Sequence, residues 1–552
     1  MQSRRTSNLA RGTSIMVASV TVAKLLGLVY LFPLTRLIHD EGIGIYSNAY
    51  ALYVILLTLS TAGFPTAMGK LVSERLALRR YSEVEGLYRV TVRIVVRLGL
   101  VLAILMWFGA PLYARMVALR ESAQAVSALT LSVRALVPAL LVVPLMSALR
   151  GYLQGFQRLE PSAYSQSLEQ LVRVIAIVIL AWWVMRHGGT PATGAAAATF
   201  GAFVGALAGL VVLVAAVHRV RRAHRSRWRR PARPSRITHA ALRKELWQVA
   251  LPVSLGALVV PISGLVDALT VQNTLLFAGY DFHSATAAYG VLSRQAMQLI
   301  QLPLAFAMAI GASVLPAIAE ARALQQQEAI NQRVRGTLRS MLFMTFPVAA
   351  SLLVLGQPLD QVLYGSTEGA LIISSVSFMS IFSSLELTST YMLQGLDRMY
   401  RPVRNMFLGV LVKLVLNIAL IIPFHILGAA MATTIGYLFS STLNVLAVKK
   451  YGRVRFSVLR LAWPSAAAAA LTCPGLAAGR WLGWHAARLV TENPDAIAAV
   501  QVILAIAFGG LVYLFASIRL GAVHAAELQA LPVIGRRLAR IARHLAPSAA
   551  SL

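Results

Sequence analysis

Four polar side chains recur at helical spacing inside a long apolar run: Gln166, Glu169, Gln170 and Arg173 stand at i, i+3, i+4 and i+7, on one helical face. Such a face cannot point at lipid. A charge at membrane depth costs about 3 kcal/mol or more unless it lines water or meets a partner, so the stripe predicts an internal, wet cavity. Lys24 and Lys413 fall, like Arg173, near the middle of apolar runs, while Arg134 and Arg294 are intermediate between middle and end. Each needs an anion, a carboxylate or water. Arg36, with Arg93 and Arg97, lies near the end of a run, where snorkelling to the interface competes with a cavity role.

Acids inside the apolar runs are few: Glu169, Asp267 and Glu386. Cations outnumber them. A cavity with surplus positive charge in low dielectric attracts an anionic substrate and disfavours a cationic drug. For Arg173 a second reading stands beside substrate binding, because Glu169 one turn earlier can neutralise it within the helix. Asp267, with Asn417 and Thr434 as neighbours, could hold a coupling cation, Na+ or H+; a structural carboxylate is the alternative.

Signals for an enzyme are weak. The 10 histidines sit mostly in loops or basic segments, without an HExxH pair or a serine, histidine and acid set, and there is no Walker loop. No cofactor or metal is therefore expected beyond a coupling ion. Cys473 is the single cysteine, which excludes an intramolecular disulfide and a cysteine-rich metal site.

The elements that must carry these residues are membrane spans. The chain has 552 residues, 58 % of them hydrophobic, and apolar windows give fourteen spans: 14–38, 45–68, 91–113, 126–149, 163–186, 191–217, 247–271, 286–316, 338–360, 370–394, 404–424, 426–448, 458–479 and 496–518. The first reads as a retained span, because no small-residue cleavage site follows a short apolar core. With both termini cytoplasmic, inside segments hold 38 Lys and Arg against 5 outside. That asymmetry supports the count. It also explains most of the +31 net charge as topology control, not nucleic-acid binding.

A repeat sorts the spans. Leu153-Gln154-Gly155-x-x-Arg158 returns 240 residues later as Leu393-Gln394-Gly395-x-x-Arg398, with Pro161 matched by Pro402 and Arg173 by Lys413; Gly194–Thr199 returns 234 later as Gly428–Thr433. Parallel repeats in a hydrophobic chain mark transporters, with the path between the halves. The expected domains are a six-helix lobe (1–217), a basic cytoplasmic linker (218–244), a second six-helix lobe (245–450), two further helices (451–520) and a basic tail (521–552) in which Ile534, Leu538, Ile541 and Leu545 would form one side of an interfacial helix. The linker, HRVRRAHRSRWRRPARPSR at 218–236, suits anionic headgroups. The fold class is all-α and polytopic.

Arg11-Gly12-Thr13, Lys24-Leu-Leu-Gly27, TRLIHDEGIGIY (35–46), LSTAGFPTAMGKLVSE (59–74), RGYLQG (150–155) and SQSLEQLVRV (165–174) closely resemble the stage V sporulation protein B and YtgP-like branch of the polysaccharide-transporter family. That branch lies in the multidrug/oligosaccharidyl-lipid/polysaccharide exporter superfamily and includes MurJ-type lipid II flippases. The resemblance implies two six-helix lobes in a V around a cationic cavity, with helices 13 and 14 making a groove for a polyprenyl tail. It implies export of an undecaprenyl-pyrophosphate-linked peptidoglycan precursor by alternating access in a bacterial plasma membrane, with cell-wall synthesis machinery as a partner. Lys24 and Arg294 would then contact the pyrophosphate. The chain departs from the family at Tyr30, at Leu57-Thr58 and at His39, where basic residues or a glycine are usual. A flippase for a capsule or spore-cortex glycan, a cation-coupled drug exporter, a glycan polymerase using Asp40 and Glu41, and a cell-wall scaffold that transports nothing are the competing functions.

Overall fold

The computed structural model describes residues 26–27, 29–118, 123–158, 160–229 and 238–523, and among these every regular element is helical. The contacts divide the chain into two units, Met1–Gly290 and Val291–Leu552. The first contains α1 (Leu31–Thr61), α2 (Gly63–Ala77), α3 (Tyr81–Val117), α4 (Ala123–Gly155), α5 (Glu160–Arg186), α6 (Pro191–Arg229), α7 (His239–Ala257), α8 (Val259–Phe277) and α9 (Phe282–Gly290). The second opens on a π-helical turn, Val291–Ala296, followed by α10 (Met297–Ala323), α11 (Gln327–Tyr364), α12 (Ala370–Ser375), α13 (Ser377–Gly395), α14 (Tyr400–Gly452), α15 (Val458–Arg488) and α16 (Pro494–Arg519).

Eleven helical segments among the described residues are long and apolar enough to cross a membrane, against the fourteen spans expected. Physical reasons account for the difference. His39 turns the chain inside α1 with φ 55°, and His425 does the same inside α14 with φ 52°, so single residues replace loops between expected spans. The expected break at 425, between 404–424 and 426–448, falls on that residue. The expected span 370–394 is cut at Val376 into α12 and α13, and α13 buries Ser377, Ser380, Ser383, Ser384 and Ser389. Those serines lower its hydropathy without exposing it. Most of the first expected span, and the tail from 524 on, lie outside the described residues.

Proline sets the other breaks. Pro261 cannot donate to Ala257, and the helix is interrupted at Leu258 between α7 and α8. Pro65 likewise leaves the Thr61 carbonyl without its helical donor, and the Ser147 hydroxyl supplies one at 2.9 Å. Of the expected linker, residues 218–229 continue α6 as helix; 230–237 lie outside the described residues.

In the first unit the core gathers Phe64, Met68, Tyr152, Leu149 and Leu213 from α2, α4 and α6. Helices α7 to α9 pack along the same unit. Phe64 meets Trp247 edge to face at 5.6 Å, the Gly63 amide donates to Ser254 at 3.1 Å, and Arg75 donates to Glu245 while lying 3.3 Å from Glu83. Further along, Asn48 donates to Gln272 at 2.7 Å and Gln272 to Thr286 at 2.8 Å. In the second unit Ile318, Leu338, Met392 and Val448 form one core, and Leu355, Leu476 and Tyr513 another. There α15 and α16 pair through small residues, Gly479 on Ala505 and Gly483 on Gln501, as close helix contact in lipid requires.

Gly44 illustrates how tight the packing of α1 on α9 is: a Cβ there would lie 2.0 Å from the Thr286 carbonyl oxygen, whereas one at Gly109 would meet nothing within 4 Å. Backbone cannot yield cheaply. Gly44→Ala is expected to cost about 1–3 kcal/mol and lower the thermal midpoint of the purified protein, while Gly109→Ala leaves it unchanged or raised. Equal midpoints for the two variants would contradict this packing.

Candidate functional site

The stripe read from the sequence lies on a single helix, α5. Its centre is Glu169, 7 % exposed, held by two guanidinium groups. Arg150, from the end of α4, donates through Nη2 to Glu169 Oε2 at 2.6 Å and to the Ser165 hydroxyl at 3.3 Å. Arg173, one turn on from Glu169, donates to its other oxygen. Ser165 in turn donates to the Gly209 carbonyl of α6 at 3.0 Å. Glycines let α6 come this close: a Cβ at Gly205 would lie 2.6 Å from Arg173 Cβ, and one at Gly209 3.0 Å from Glu169 Cβ.

Two cations against one carboxylate leave one positive charge in excess. Among the described residues the buried Nε atoms of Arg150 and Arg173 have no hydrogen-bond partner, which leaves donors available to water or to an anionic group. Tyrosines of α1 complete the surroundings. Tyr46, Tyr50 and Tyr53 lie near Arg173, their rings in sequence 4.7 and 5.6 Å apart, and the Tyr46 hydroxyl lies 3.1 Å from that of Tyr30. Phenols beside a guanidinium offer hydrogen-bond donors suited to phosphate oxygens.

The remaining expected residues are placed as follows. Gln166 and Gln170 are half-buried, and Gln170 Nε2 lies 3.4 Å from where a Cβ of Gly27 would sit. Lys24 lies outside the described residues. Arg36 is exposed. Arg134 donates to the Trp107 carbonyl at 3.3 Å and covers its half-exposed ring at 4.9 Å, the contact of a cation anchored on an aromatic residue. In the second unit Lys413 is buried with its Cβ against Gly436, and Arg294 sits half-buried in the π-helical turn, a geometry frequent at functional sites. Asp267 is buried in the first unit; Asn417 and Thr434 belong to the second, where the Thr434 hydroxyl donates to Ala430 at 2.8 Å.

Sequence reasoning missed two parts of this site. Arg150 was counted with a loop, although it stands within α4 and reaches Glu169 across 19 residues. The tyrosines at 46, 50 and 53 carried a readable signal, since their spacing of four and three marks one helical face.

A polytopic helical membrane fold that carries a charged, tyrosine-lined cluster inside its spans defines a protein of the transporter class. The fold is shared with a solved structure of the lipid II flippase MurJ in an inward closed conformation, at a TM-score of 0.64 and 17 % identity over 91 % of this chain and 97 % of that one. Residues 9–322 match the polysaccharide biosynthesis protein family, and the chain belongs to that family. Among its relatives in Bacillus subtilis (strain 168) are the lipid II flippase MurJ, 26 % identical over 96 % of this chain and 98 % of the relative, and stage V sporulation protein B, 26 % identical over 96 % and 99 %.

The charged cluster makes a non-additive set. Removing Arg150 or Arg173 singly leaves Glu169 one partner, whereas removing both strands a buried carboxylate, at a cost of about 3–5 kcal/mol. The double variant Arg150→Met with Arg173→Met should therefore lower the thermal midpoint by clearly more than the sum of the single variants. Additive losses would contradict a shared carboxylate.

Proposed function

We propose that this protein is a flippase that moves a polyprenyl-pyrophosphate-linked glycan, foremost the peptidoglycan precursor lipid II, from the inner to the outer leaflet by alternating access. The observation that carries the reading is the excess positive charge of Arg150, Glu169 and Arg173 inside the spans, beside phenolic donors and unpartnered guanidinium Nε atoms. An anionic headgroup is the natural complement of such a cluster. Relatedness along nearly the whole chain to a protein named as a lipid II flippase supports the same cargo. In this reading the protein sits in a bacterial plasma membrane with both termini cytoplasmic, and Lys24, Arg294 and Lys413 add to the cationic path.

The energetics agree. A pyrophosphate moving outward down the membrane potential gains about 2.3 kcal/mol per charge per 100 mV, and the emptied cationic path returning inward moves in the favourable direction too. A second reading, a lipid-linked glycan used in sporulation, is supported by stage V sporulation protein B, which is as similar as the lipid II flippase.

Depletion of the protein followed by a leaflet-sidedness assay separates these cargoes. Lipid II is expected to accumulate on the cytoplasmic leaflet, and collapse of the potential is expected to slow its export in undepleted cells. An unchanged lipid II distribution after depletion would overturn that cargo. Replacing Asp40 and Glu41 together with alanine is expected to leave growth intact, whereas loss of growth with retained flipping would favour a polymerase.

A further inference from the structure

The second unit gathers positive charge around one aromatic ring. Its helix α14 turns back on itself at His425, and a Cβ at Gly409 would lie 2.7 Å from the Gly436 carbonyl oxygen, so the two halves run side by side and their ends meet. There Tyr451, half-buried, has the Arg398 guanidinium 4.6 Å from its ring centroid, that of Arg401 at 5.3 Å and the Lys450 ammonium at 5.9 Å. A ring has two faces, and three cations compete for them. Lys449, one residue earlier, lies 5.1 Å from the Phe456 ring. Among the described residues no carboxylate stands within ion-pair distance of these four cations; Asp397, next to Arg398, pairs with Arg322 of α10 at 3.4 Å.

Keeping a loop on one side of a membrane takes basic residues but does not require this crowding. The internal repeat supplies the comparison. Matching Pro402 to Pro161 puts Arg401 where the first unit has Glu160, and the 234-residue register puts Lys449, Lys450 and Tyr451 where it has Ala215, Ala216 and Val217. The opening turn of α5 therefore carries Glu160, the sign that a helix N-terminus favours, whereas the opening turn of α14 carries no acid and holds Arg401 instead. Cations at the positive end of a helix repel one another and the backbone; an anion reverses that balance. The platform beneath them is fixed. Helix α14 ends at Arg453 with φ 51°, the Val454 amide donates to the Lys449 carbonyl at 3.2 Å, and Gln327 of α11 donates to the Gly452 carbonyl at 2.7 Å.

We infer that Arg398, Arg401 and Lys450, with Lys449 behind them, form a binding site for a phosphate-bearing anion of at least two charges. Two guanidinium groups offer the forked donors that phosphate oxygens accept in pairs, and the ammonium adds a point charge. The anion sits between cations that otherwise repel, and Tyr451 is the floor they share. A phospholipid headgroup and a soluble pyrophosphate present the same chemistry. The basic turns 395–404 and 449–460 belong to the side expected to face the cytoplasm, where both kinds of anion occur. Arg150, Glu169 and Arg173 belong to the first unit, so the site is a separate one, and its assignment does not depend on the cargo.

The test is the thermal midpoint of the purified full chain in uncharged detergent, titrated with sodium pyrophosphate against NaCl at equal ionic strength and pH. The wild-type midpoint is expected to rise with the logarithm of pyrophosphate concentration. Arg398→Gln combined with Arg401→Gln should weaken the apparent affinity by about tenfold or more, as loss of charge-assisted hydrogen bonds does. Arg243→Gln combined with Lys244→Gln, both exposed on α7, removes as much charge and should leave the rise intact. In NaCl alone the first pair should melt at or above the wild type, because it relieves repulsion; should it fail to fold, Lys450→Gln carries the test with the same sign. Phosphatidylcholine nanodiscs with and without phosphatidylglycerol then separate the sources. A headgroup occupant raises the wild-type midpoint, not that of the Arg398 and Arg401 pair, and blocks the pyrophosphate response; a soluble occupant leaves that response unchanged by the anionic lipid. A wild-type rise no greater in pyrophosphate than in NaCl, an equal loss in the Arg243 and Lys244 pair, or a response abolished by Arg173→Met and kept by the Arg398 and Arg401 pair would each overturn the inference. Export that fails while this response persists would count against the flippase reading alone.

Discussion

The arrangement depends on one carboxylate shared by two guanidinium groups inside a membrane span. Glu169 alone would be costly to bury, and Arg150 and Arg173 alone would repel one another; together they form a hydrogen-bonded set that keeps a single positive charge in excess. That excess is what a lipid-borne phosphate would meet. It is held by α4 and α5, tied to α6 through Ser165 and Gly209, and faced by the tyrosines of α1, so four helices converge on one charge balance.

The surrounding helices are broken where polar backbone can be satisfied. The Thr61 carbonyl freed by Pro65 finds Ser147, and single-residue turns at His39 and His425 stand where loops between spans were expected. Glycines at 44, 63, 205 and 209 bring backbones together within the first unit. Tight glycine contacts and interrupted helices thus alternate along the chain.

Much of this was legible in the sequence because it is periodic. The α5 stripe follows from spacing alone, the repeat from matched motifs, and the one-residue break at 425 from the end of one apolar window and the start of the next. What escaped is what spacing cannot carry. The pairing of Arg150 with Glu169 joins different helices, and the placing of Arg134 on Trp107 depends on packing between α3 and α4. The span expected at 370–394 is present as α12 and α13, but that its serines are satisfied by their own helix, as Ser380 donates to Ser377 and Ser389 to Leu385, is a property of the fold. The same limit holds in the second unit: the 240-residue register pairs Arg150 with Thr390 and Met146 with Glu386, yet only the fold shows Asn444 meeting both Glu386 and Thr390.

Water at the α5 stripe is the condition on which the proposed transport stands, and thiol accessibility measures it directly. In a Cys473→Ser background, single cysteines at Gln170, Tyr50 and the exposed apolar positions Ile175 and Leu171 are treated in intact cells and in inverted vesicles with a membrane-impermeant thiol reagent. The account predicts modification at Gln170 and Tyr50 from at least one side, reduced by a polyprenyl pyrophosphate, and none at Ile175 or Leu171. Silence at Gln170 and Tyr50 from both sides would contradict it.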